Sequence, residues 1–282
     1  MAAAAEHMKL DTAGPIHPPG VDKAAVKPSV ARRIRIKVLD PLDHEAPAIL
    51  HEPRSYNAKQ ANQAGVIMVS GAGGGVSGPA GIYPSLADKL ALTLSVPSIR
   101  LNYRKPAQTD YCTADVRACI DYLSSQYTTT RVVLVGWSFG GSPCFTVAAT
   151  DPERVMGVAT IASQTAKTDG IRRLRPRPVL LMHGSEDTCL SPSCAEILYD
   201  AYGAGPGKRE LKIFEGDDHG LTNNAVQVEK MVFDFIAKTL GFDAMLDDDY
   251  IGQQASRDLA GSKDERIAEM KAGHDLEGGE RL

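Results

Sequence analysis

The sequence has little excess charge and no long apolar run. Its 282 residues carry 31 Lys and Arg against 35 Asp and Glu, a formal net charge of −4. Because no basic field dominates, nucleic acid is not an expected partner. No stretch approaches the roughly 18 apolar residues that cross a bilayer, so no membrane span is predicted. What remains is a globular chain whose 43% hydrophobic composition is sufficient for a full core.

Cysteine is also sparse, with five residues, and the count is odd. No pair has the spacing of a zinc site, so neither a metal nor a cofactor is expected. The first residues, MAAAAEHMKLDTAG, lack the basic start and the apolar core of a secretory signal. We therefore expect free thiols in a cytoplasmic protein. A disulfide between Cys189 and Cys194 is the less favoured alternative.

Composition divides the chain into three parts. Residues 1–30 are rich in Ala and Pro without a sustained period, which predicts a flexible N-terminal arm. Residues 31–242 carry regular hydrophobic patterns and are predicted to form one domain. Residues 243–282 contain 11 acidic and 5 basic residues, a net charge of −6, which leaves the rest at +2. This acidic extension is predicted to be disordered or a peripheral helix, and a segment that binds a protein partner is the alternative.

Short apolar strands alternate with helical stretches through the central part. The first strand candidate alternates charged and apolar residues and is predicted to be antiparallel or at an edge. Most of the others are too apolar for a sheet with one wet face. They predict an α/β fold with a mainly parallel sheet of about eight strands and helices on both faces. The strand candidates are 33–39, 48–53, 65–71, 96–104, 131–138, 155–163, 177–184 and 209–216, and the helix candidates are 82–94, 112–127, 140–150, 191–203 and 225–240.

The stretch VVLVGWSFGGSP, at 132–143, places one serine between glycines at the end of a buried strand. Its GWSFG portion matches the G-x-S-x-G pattern of a nucleophile elbow, in which a strained turn lifts the serine hydroxyl above the sheet edge. Gly136 and Gly140 remove Cβ atoms that would clash in so tight a turn. The pattern alone is weak, and its position between a strand and a helix makes it specific. The structural alternative for Ser138 is a helix N-cap.

A serine nucleophile needs a base and an orienting group. Asp187 follows one apolar strand candidate and His219 follows the last, so both should reach the same carboxyl edge of the sheet as Ser138. Glu186 adjoins Asp187, while Asp217 and Asp218 adjoin His219. Immediate neighbours of a histidine seldom bond to its ring, which favours Asp187. A surface loop histidine is the alternative for His219, and His183, at a strand end, is expected to be structural.

With these residues in the chain order Ser, Asp, His, residues 33–242 resemble the α/β-hydrolase superfamily. The small uncapped members, dienelactone hydrolases and carboxylesterases, are the most similar. The resemblance implies that Ser138 is the nucleophile, His219 the general base and Asp187 its orienting acid. Dienelactone hydrolases generally have cysteine at the nucleophile position, so Ser138 favours a general serine esterase.

An oxyanion hole requires two backbone N–H donors. The resemblance implies that one belongs to Phe139, and that the other lies in the loop SGAGGGVSG at 70–78, where Ala72 is preferred and Gly73 is second. Ser70 stands where the family usually has histidine. A phosphate-binding loop is the alternative for 70–78, but no lysine follows its glycines.

Two further positions, Trp137 and Arg104, are candidates for the substrate cleft. Arg104 and the cluster Arg172, Arg173, Arg175 and Arg177 would favour an acidic acyl group there, although a solvated face is preferred for these arginines. Only 14 positions separate residues 163 and 177, where capped relatives insert a lid. We therefore expect no large cap and a fairly open site.

Together these features predict a serine hydrolase that cleaves a small soluble carboxylic ester or lactone through an acyl-enzyme. A thioesterase or acyl-peptide hydrolase is the alternative among enzymes, because the same machinery accepts different leaving groups. A catalytically weak binding or scaffold protein of this fold is the alternative from another class.

Overall fold

An eight-stranded sheet runs through the computed structural model, which describes residues 29–41 and 44–272. Its strand order is β1-β2-β4-β3-β5-β6-β7-β8. β1 pairs with β2 and β2 with β4 in antiparallel fashion, and all other neighbours are parallel. The strands are β1 Val30–Lys37, β2 Glu45–Glu52, β3 Ala64–Val69, β4 Ser98–Leu101, β5 Arg131–Trp137, β6 Val155–Ile161, β7 Val179–Gly184 and β8 Arg209–Phe214.

The burial of the outermost strand differs from that of the central strands, as their sequences predict. In β1, Ile34 and Ile36 are buried while the basic residues between and beside them are exposed, as expected for an edge strand. All six residues of β3 are buried, because helices cover both of its faces. Alternate β3 side chains therefore enter two cores: Ile67 and Val69 face one, and Val66 and Met68 face the other.

Helices form a layer on each face of the sheet. The first core packs under α2, α3 and α4, and the second packs under α1 and α5. The prediction of a mainly parallel sheet with helices on both faces is thus confirmed. The helices are α1 Ile82–Thr93, α2 Thr109–Tyr127, α3 Gly141–Thr150, α4 Ser193–Tyr202, α5 Ala225–Leu240, α6 Asp249–Ala255 and α7 Lys263–Ala272.

The connection between β6 and β7 is short. Residues 162–178 contain one 3-10 helix, Asp169–Arg173, and no further element, so the absence of a large cap at this point is confirmed. Across the described part of the chain, no helix combines the length and apolarity that a bilayer crossing requires.

The two predicted terminal segments are partly described. Residues 1–28 of the predicted arm lie outside the described residues, and Val30 already belongs to β1. In the acidic extension, α6 and α7 follow a 3-10 helix at Asp243–Met245, and residues 273–282 lie outside the described part. Ile251 and Ala255 of α6 join the core under α1 and α5. The described part of the extension therefore packs on the domain.

Candidate active site

The turn from β5 into α3 is too tight for side chains at two of its glycines. A Cβ on Gly136 would lie 2.7 Å from the carbonyl carbon and oxygen of Gly140. A Cβ on Gly140 would lie 2.8 Å from the carbonyl oxygen of Ser70, at the start of the loop 70–78. Ser138, between them, has a φ of 54°, a conformation that side chains rarely adopt. The glycines thus allow both the strained turn and its contact with the glycine loop.

The loops after β7 and β8 bring an aspartate and a histidine together. His219 Nδ1 lies 2.7 Å from Asp187 Oδ2, and both side chains are buried. A carboxylate only accepts hydrogen bonds, so it fixes the proton on Nδ1 and leaves Nε2 as the basic nitrogen. His219 Nε2 is buried and has no hydrogen-bond partner among the described residues. An imidazole oriented by a carboxylate, with its second nitrogen unprotonated, is equipped to accept a proton.

Asp187 accepts more hydrogen bonds than the one from His219. Its Oδ1 accepts from the backbone N–H groups of Cys189 at 2.8 Å and Leu190 at 2.9 Å. Its Oδ2 also lies 2.9 Å from Nε2 of His183. Burial by itself would raise the pKa of Asp187, but the bonds from His183 and His219 outweigh it and hold that pKa well below its usual value. The carboxylate therefore stays ionised beside the imidazole.

His183 is a site residue whose role the sequence did not reveal. Its position at the end of β7 suggested a structural side chain, and the structure places it on the same carboxylate oxygen as His219. The available signal was the spacing His183-x-x-x-Asp187 across the strand end. That spacing is common, and it becomes informative only when the turn after β7 is known.

The two aspartates next to His219 shape its loop and do not bond to the imidazole. Asp218 Oδ1 accepts from the backbone N–H groups of Gly220 and Thr222, both at 3.0 Å, and from Thr222 Oγ1 at 2.9 Å. Asp217 accepts from the backbone N–H groups of Asn223 and Asn224 at the start of α5. Both carboxylates thus bond to their own loop and not to the imidazole, which agrees with the preference for Asp187.

Trp137 joins the serine turn to the histidine loop. Its Nε1 donates to the backbone oxygen of His219 at 3.1 Å, and the two rings are 5.6 Å apart at their centroids. Ser138 is the next residue, so this bond brings the serine turn beside the imidazole. No hydrogen bond joins Ser138 and His219 among the described residues. Trp137 is fully buried, so the expectation that it lines the cleft is wrong.

The glycine loop is fastened from β4 and the residues after it. The N–H of Gly74 bonds to the carbonyl of Gly71 at 3.1 Å, which places Ala72 and Gly73 in the centre of a partly exposed turn. The N–H of Gly75 donates to Asn102 Oδ1 at 3.0 Å, and Nη1 of Arg100 donates to the carbonyl of Val76 at 2.9 Å. The turn with the predicted donors is therefore held beside the Ser138 turn, which touches Ser70.

Arg104 does not line a cleft, and its side chain is not solvated either. The guanidinium has no exposed area and forms ion pairs with Asp40, at 2.8 and 2.5 Å, and with Asp115. A buried guanidinium needs such partners, because an unpaired buried charge is costly. The cleft prediction for Arg104 is therefore wrong.

The arginine cluster lies before β7, whose amino end faces away from the carboxyl edge. Nη1 of Arg177 donates to the carbonyls of Ala148 at 2.7 Å and Val155 at 3.0 Å, and Arg175 donates to that of Ala204. Arg172 and Arg173 are exposed. Arg175 and Arg177 therefore hydrogen-bond to the backbone, and Arg172 and Arg173 face solvent. These positions do not place the cluster at the carboxyl edge of the sheet.

Access to the serine is narrower than the short β6–β7 connection suggested. Ser138 is 4% exposed. The backbone N–H of Gln164, just after β6, bonds to the carbonyl of Ser138 at 3.3 Å, and the glycine loop packs on the other side of the turn. The expectation of a fairly open site therefore does not hold at the serine itself, because the neighbouring loops close around it.

The site has no obvious metal-ligating arrangement. Within residues 29–41 and 44–272, no group of three or more His, Cys, Asp or Glu side chains is arranged to hold a metal ion. All five cysteines lie in the described part of the chain as thiols, including the exposed Cys189 beside Asp187. The groups available for chemistry are the oriented imidazole, the serine in its strained turn and the backbone N–H groups.

Comparison with known proteins gives the same picture of the fold. A sequence family described as the alpha/beta hydrolase fold matches residues 65–188. Est1E from Butyrivibrio proteoclasticus is similar at a TM-score of 0.61 and 15% identity, covering 74% of this chain and 98% of its own. A dienelactone hydrolase from Anabaena variabilis has a TM-score of 0.62, with the same identity and coverage.

A third structure is described as lacking a lid. XC6422 from Xanthomonas campestris, described as a member of the a/b serine hydrolases without lid, has a TM-score of 0.58 and 15% identity over 74% of this chain and 94% of its own. No curated protein sequence matches this chain. At these identities, the structural likeness establishes the fold and leaves the substrate open.

Proposed function

We propose that this chain, which has the α/β-hydrolase fold, is a serine hydrolase that cleaves small carboxylic esters or lactones. Ser138, His219 and Asp187 would form its catalytic triad. The observation that carries the proposal is the 2.7 Å contact between His219 Nδ1 and Asp187 Oδ2, with Nε2 left unpartnered among the described residues beside a strained serine turn. Acyl transfer from a serine requires an imidazole that a carboxylate orients in this way and whose other nitrogen can reach the hydroxyl.

In the first step, Nε2 of His219 removes the proton of Ser138 while the serine oxygen attacks the ester carbonyl. The carbonyl π electrons move to its oxygen, giving a tetrahedral oxyanion. Asp187 stays ionised and stabilises the imidazolium through Nδ1. The lowered pKa of Asp187 supports this role, because a carboxylate that took up the proton would no longer orient the ring.

The oxyanion would be held by the backbone N–H groups of Phe139 and Ala72, with Gly73 as the alternative to Ala72. The packing of Gly140 on Ser70, which positions the glycine loop beside the serine turn, supports this assignment. One such donor typically contributes about 3 kcal/mol to transition-state stabilisation. Asn102 and Arg100, which fasten the loop, keep these donors preorganised.

Collapse of the intermediate expels the alcohol, which takes the proton from Nε2 of His219. Water then attacks the acyl-enzyme with the same nitrogen as base, and the acid is released as Ser138 is reprotonated. The low exposure of Ser138 and the loops around it favour a small substrate.

Labelling with a fluorophosphonate tests the proposal directly. The reagent phosphonylates a serine activated by a histidine base, so the wild-type chain should gain one adduct mass and Ser138→Ala should gain none. Ser191→Ala is a matched control, because Ser191 is an exposed serine near the same sheet edge, and it should label like the wild type. Equal labelling of wild type and Ser138→Ala would overturn the assignment of Ser138 as the nucleophile, and labelling of neither would overturn the proposal and favour a binding protein.

A substrate panel then defines the reaction. Esters and thioesters with acyl chains of increasing length should be turned over by the wild type, with kcat/KM highest for short acyl esters and absent in Ser138→Ala. A clear preference for thioesters would reassign the protein as a thioesterase while leaving the triad in place.

A further inference from the structure

The C-terminal segment, which we define as residues 243–272, is attached to the domain by a buried charged side chain. Lys89 of α1 forms an ion pair with Glu229 of α5 at 2.9 Å. The same Lys89 Nζ donates to the carbonyl of Ala255, at the end of α6, at 3.2 Å. Lys89 and Glu229 are both about 1% exposed. The segment therefore covers a buried ion pair and is fixed to α1.

Arg266, on α7 of this segment, reaches the loop that carries His219. Its Nη2 donates to the backbone carbonyl of Thr222 at 3.1 Å, and its Nη1 donates to the carbonyl of Gly261 at 2.7 Å. Arg266 is 8% exposed and Thr222 is fully buried. One guanidinium thus ties the C-terminal segment to a residue three positions after His219.

The same helix also touches the chain just after the glycine loop. α7 packs against the 3-10 helix Pro79–Gly81. A Cβ on Gly81 would lie 3.6 Å from the backbone oxygen of Arg266 and 3.7 Å from its Cβ. Arg266 therefore stands between the loop of the candidate base and the chain that leaves the candidate oxyanion loop.

The imidazole of His219 depends on its loop for placement. Its Nδ1 is fixed by Asp187, but Nε2 has no partner among the described residues, so no bond holds the edge of the ring that would meet the serine. Asp218 braces the loop from within through Thr222, and Arg266 braces Thr222 from outside. Because a displacement of about 1 Å can cost about a hundredfold in rate, such a brace bears on catalysis.

We propose that Arg266 is a positioning residue and that the C-terminal segment clamps the loop of His219. The inference rests on the proposed function for its effect on rate. The matches to Est1E and the dienelactone hydrolase cover 98% of those chains and leave about a quarter of this chain uncovered.

The test replaces Arg266 in the full chain. Arg266→Ala should lower kcat, and the rate of fluorophosphonate labelling, about tenfold, while KM changes less than twofold, because the base is misplaced and the binding surface is kept. Added guanidinium or methylguanidinium should restore part of the rate. Arg257→Ala is the matched control, since Arg257 is an exposed arginine of the same segment whose side chain, among the described residues, bonds locally to Gln254 at 2.8 Å, and it should behave like the wild type.

A second measurement does not depend on activity. Backbone hydrogen exchange in residues 219–224 should accelerate in Arg266→Ala and stay unchanged in Arg257→Ala. If Arg266→Ala folds poorly, Arg266→Lys should keep the fold and recover part of kcat. Wild-type kcat in folded Arg266→Ala, or unchanged exchange, would overturn the clamp. A wild type that does not label at Ser138 would overturn the proposed function instead, and exchange would still decide whether Arg266 holds the loop.

Discussion

Two of the buried aspartate–histidine pairs among the described residues, His219–Asp187 and His51–Asp88, differ in what meets the Nε2 nitrogen of the histidine. In the first, Asp187 binds Nδ1 of His219 at 2.7 Å, and Nε2 has no partner among the described residues. In the second, Asp88 binds Nδ1 of His51, also at 2.7 Å, and Nε2 accepts from Nε of Arg100 at 3.1 Å. A guanidinium only donates, so it occupies the lone pair that a base would need.

The second pair also has a serine nearby, but this serine lies at Nδ1 of the histidine, the nitrogen that already faces the aspartate. Ser29 Oγ contacts Asp88 Oδ1 and lies 3.2 Å from Nδ1 of His51, so serine and carboxylate share one side of the ring. A proton relay needs them on opposite nitrogens. The same three residue types thus occur twice in one fold, and only the order around the imidazole separates a candidate catalytic set from a structural one.

The His51 set also contacts the glycine loop of the candidate site. His51 holds Nε of Arg100, and Nη1 of the same guanidinium donates to the carbonyl of Val76 in the glycine loop. The side chains of Asp88, His51 and Arg100 are fully buried. The comparison therefore predicts that damage to one pair reduces chemistry and damage to the other reduces stability.

Substitution of each histidine in turn is the strongest test of this contrast. His219→Gln should lower kcat by about 10⁵-fold, because the base is lost, while the melting temperature stays close to that of the wild type. His51→Gln should keep kcat per folded molecule within a few-fold and lose about 2 kcal/mol of stability, because it disturbs the buried bonds to Asp88 and Arg100. Ester kinetics and urea unfolding measure the two effects. A large loss of kcat in folded His51→Gln would break the contrast.

Substitution of each aspartate in turn should give the next largest effect on kcat and on stability. Asp187→Asn should lower kcat by about 10⁴-fold, because an amide does not fix the tautomer of His219. Asp88→Asn should instead lose about 2 kcal/mol of stability, because it disturbs the buried bonds of this carboxylate to His51 and Ser29, and retain its turnover per folded molecule. Activity normalised to the folded fraction from circular dichroism separates the two. Similar kcat losses in both variants would contradict the assignment of roles.

The sequence predicted those features that have a local signature. Strands and helices were found by their periodicity, and the first strand was correctly expected at an edge because Ile34 and Ile36 alternate with charged residues. Ser138 was found by its glycines. Asp187 and His219 are predicted to lie close together because each follows a strand and parallel strands end at one edge of the sheet, and they are 2.7 Å apart.

Residues whose roles depend on distant partners were missed or misjudged. For Arg104 the sequence offers a cleft position or, preferably, a solvated face, because its bonds to Asp40 and Asp115 arise from packing and leave no local pattern. His51 attracted no interpretation, since Asp88 lies 37 residues away and meets it only when α1 packs on the sheet. Arg266 lies in the extension that is predicted to be disordered or a peripheral helix, and its bonds to Thr222 and Gly261 leave no local pattern either. Local spacing does not reveal which buried polar groups will meet.

The smallest expected effect concerns the charge of Asp187 and follows from its lowered pKa. Burial would raise that pKa, and the bonds from His183 and His219 lower it further than burial raises it. The native state then binds this proton less readily than the unfolded chain, whose aspartates titrate near 3.9. The stabilisation is therefore complete above about pH 4 and is lost as the pH falls toward the native pKa. Urea unfolding at pH 5 and pH 3 should show the stability gap between wild type and Asp187→Asn shrinking at the lower pH. A gap that stays constant would mean that His183 and His219 do not favour the ionised carboxylate.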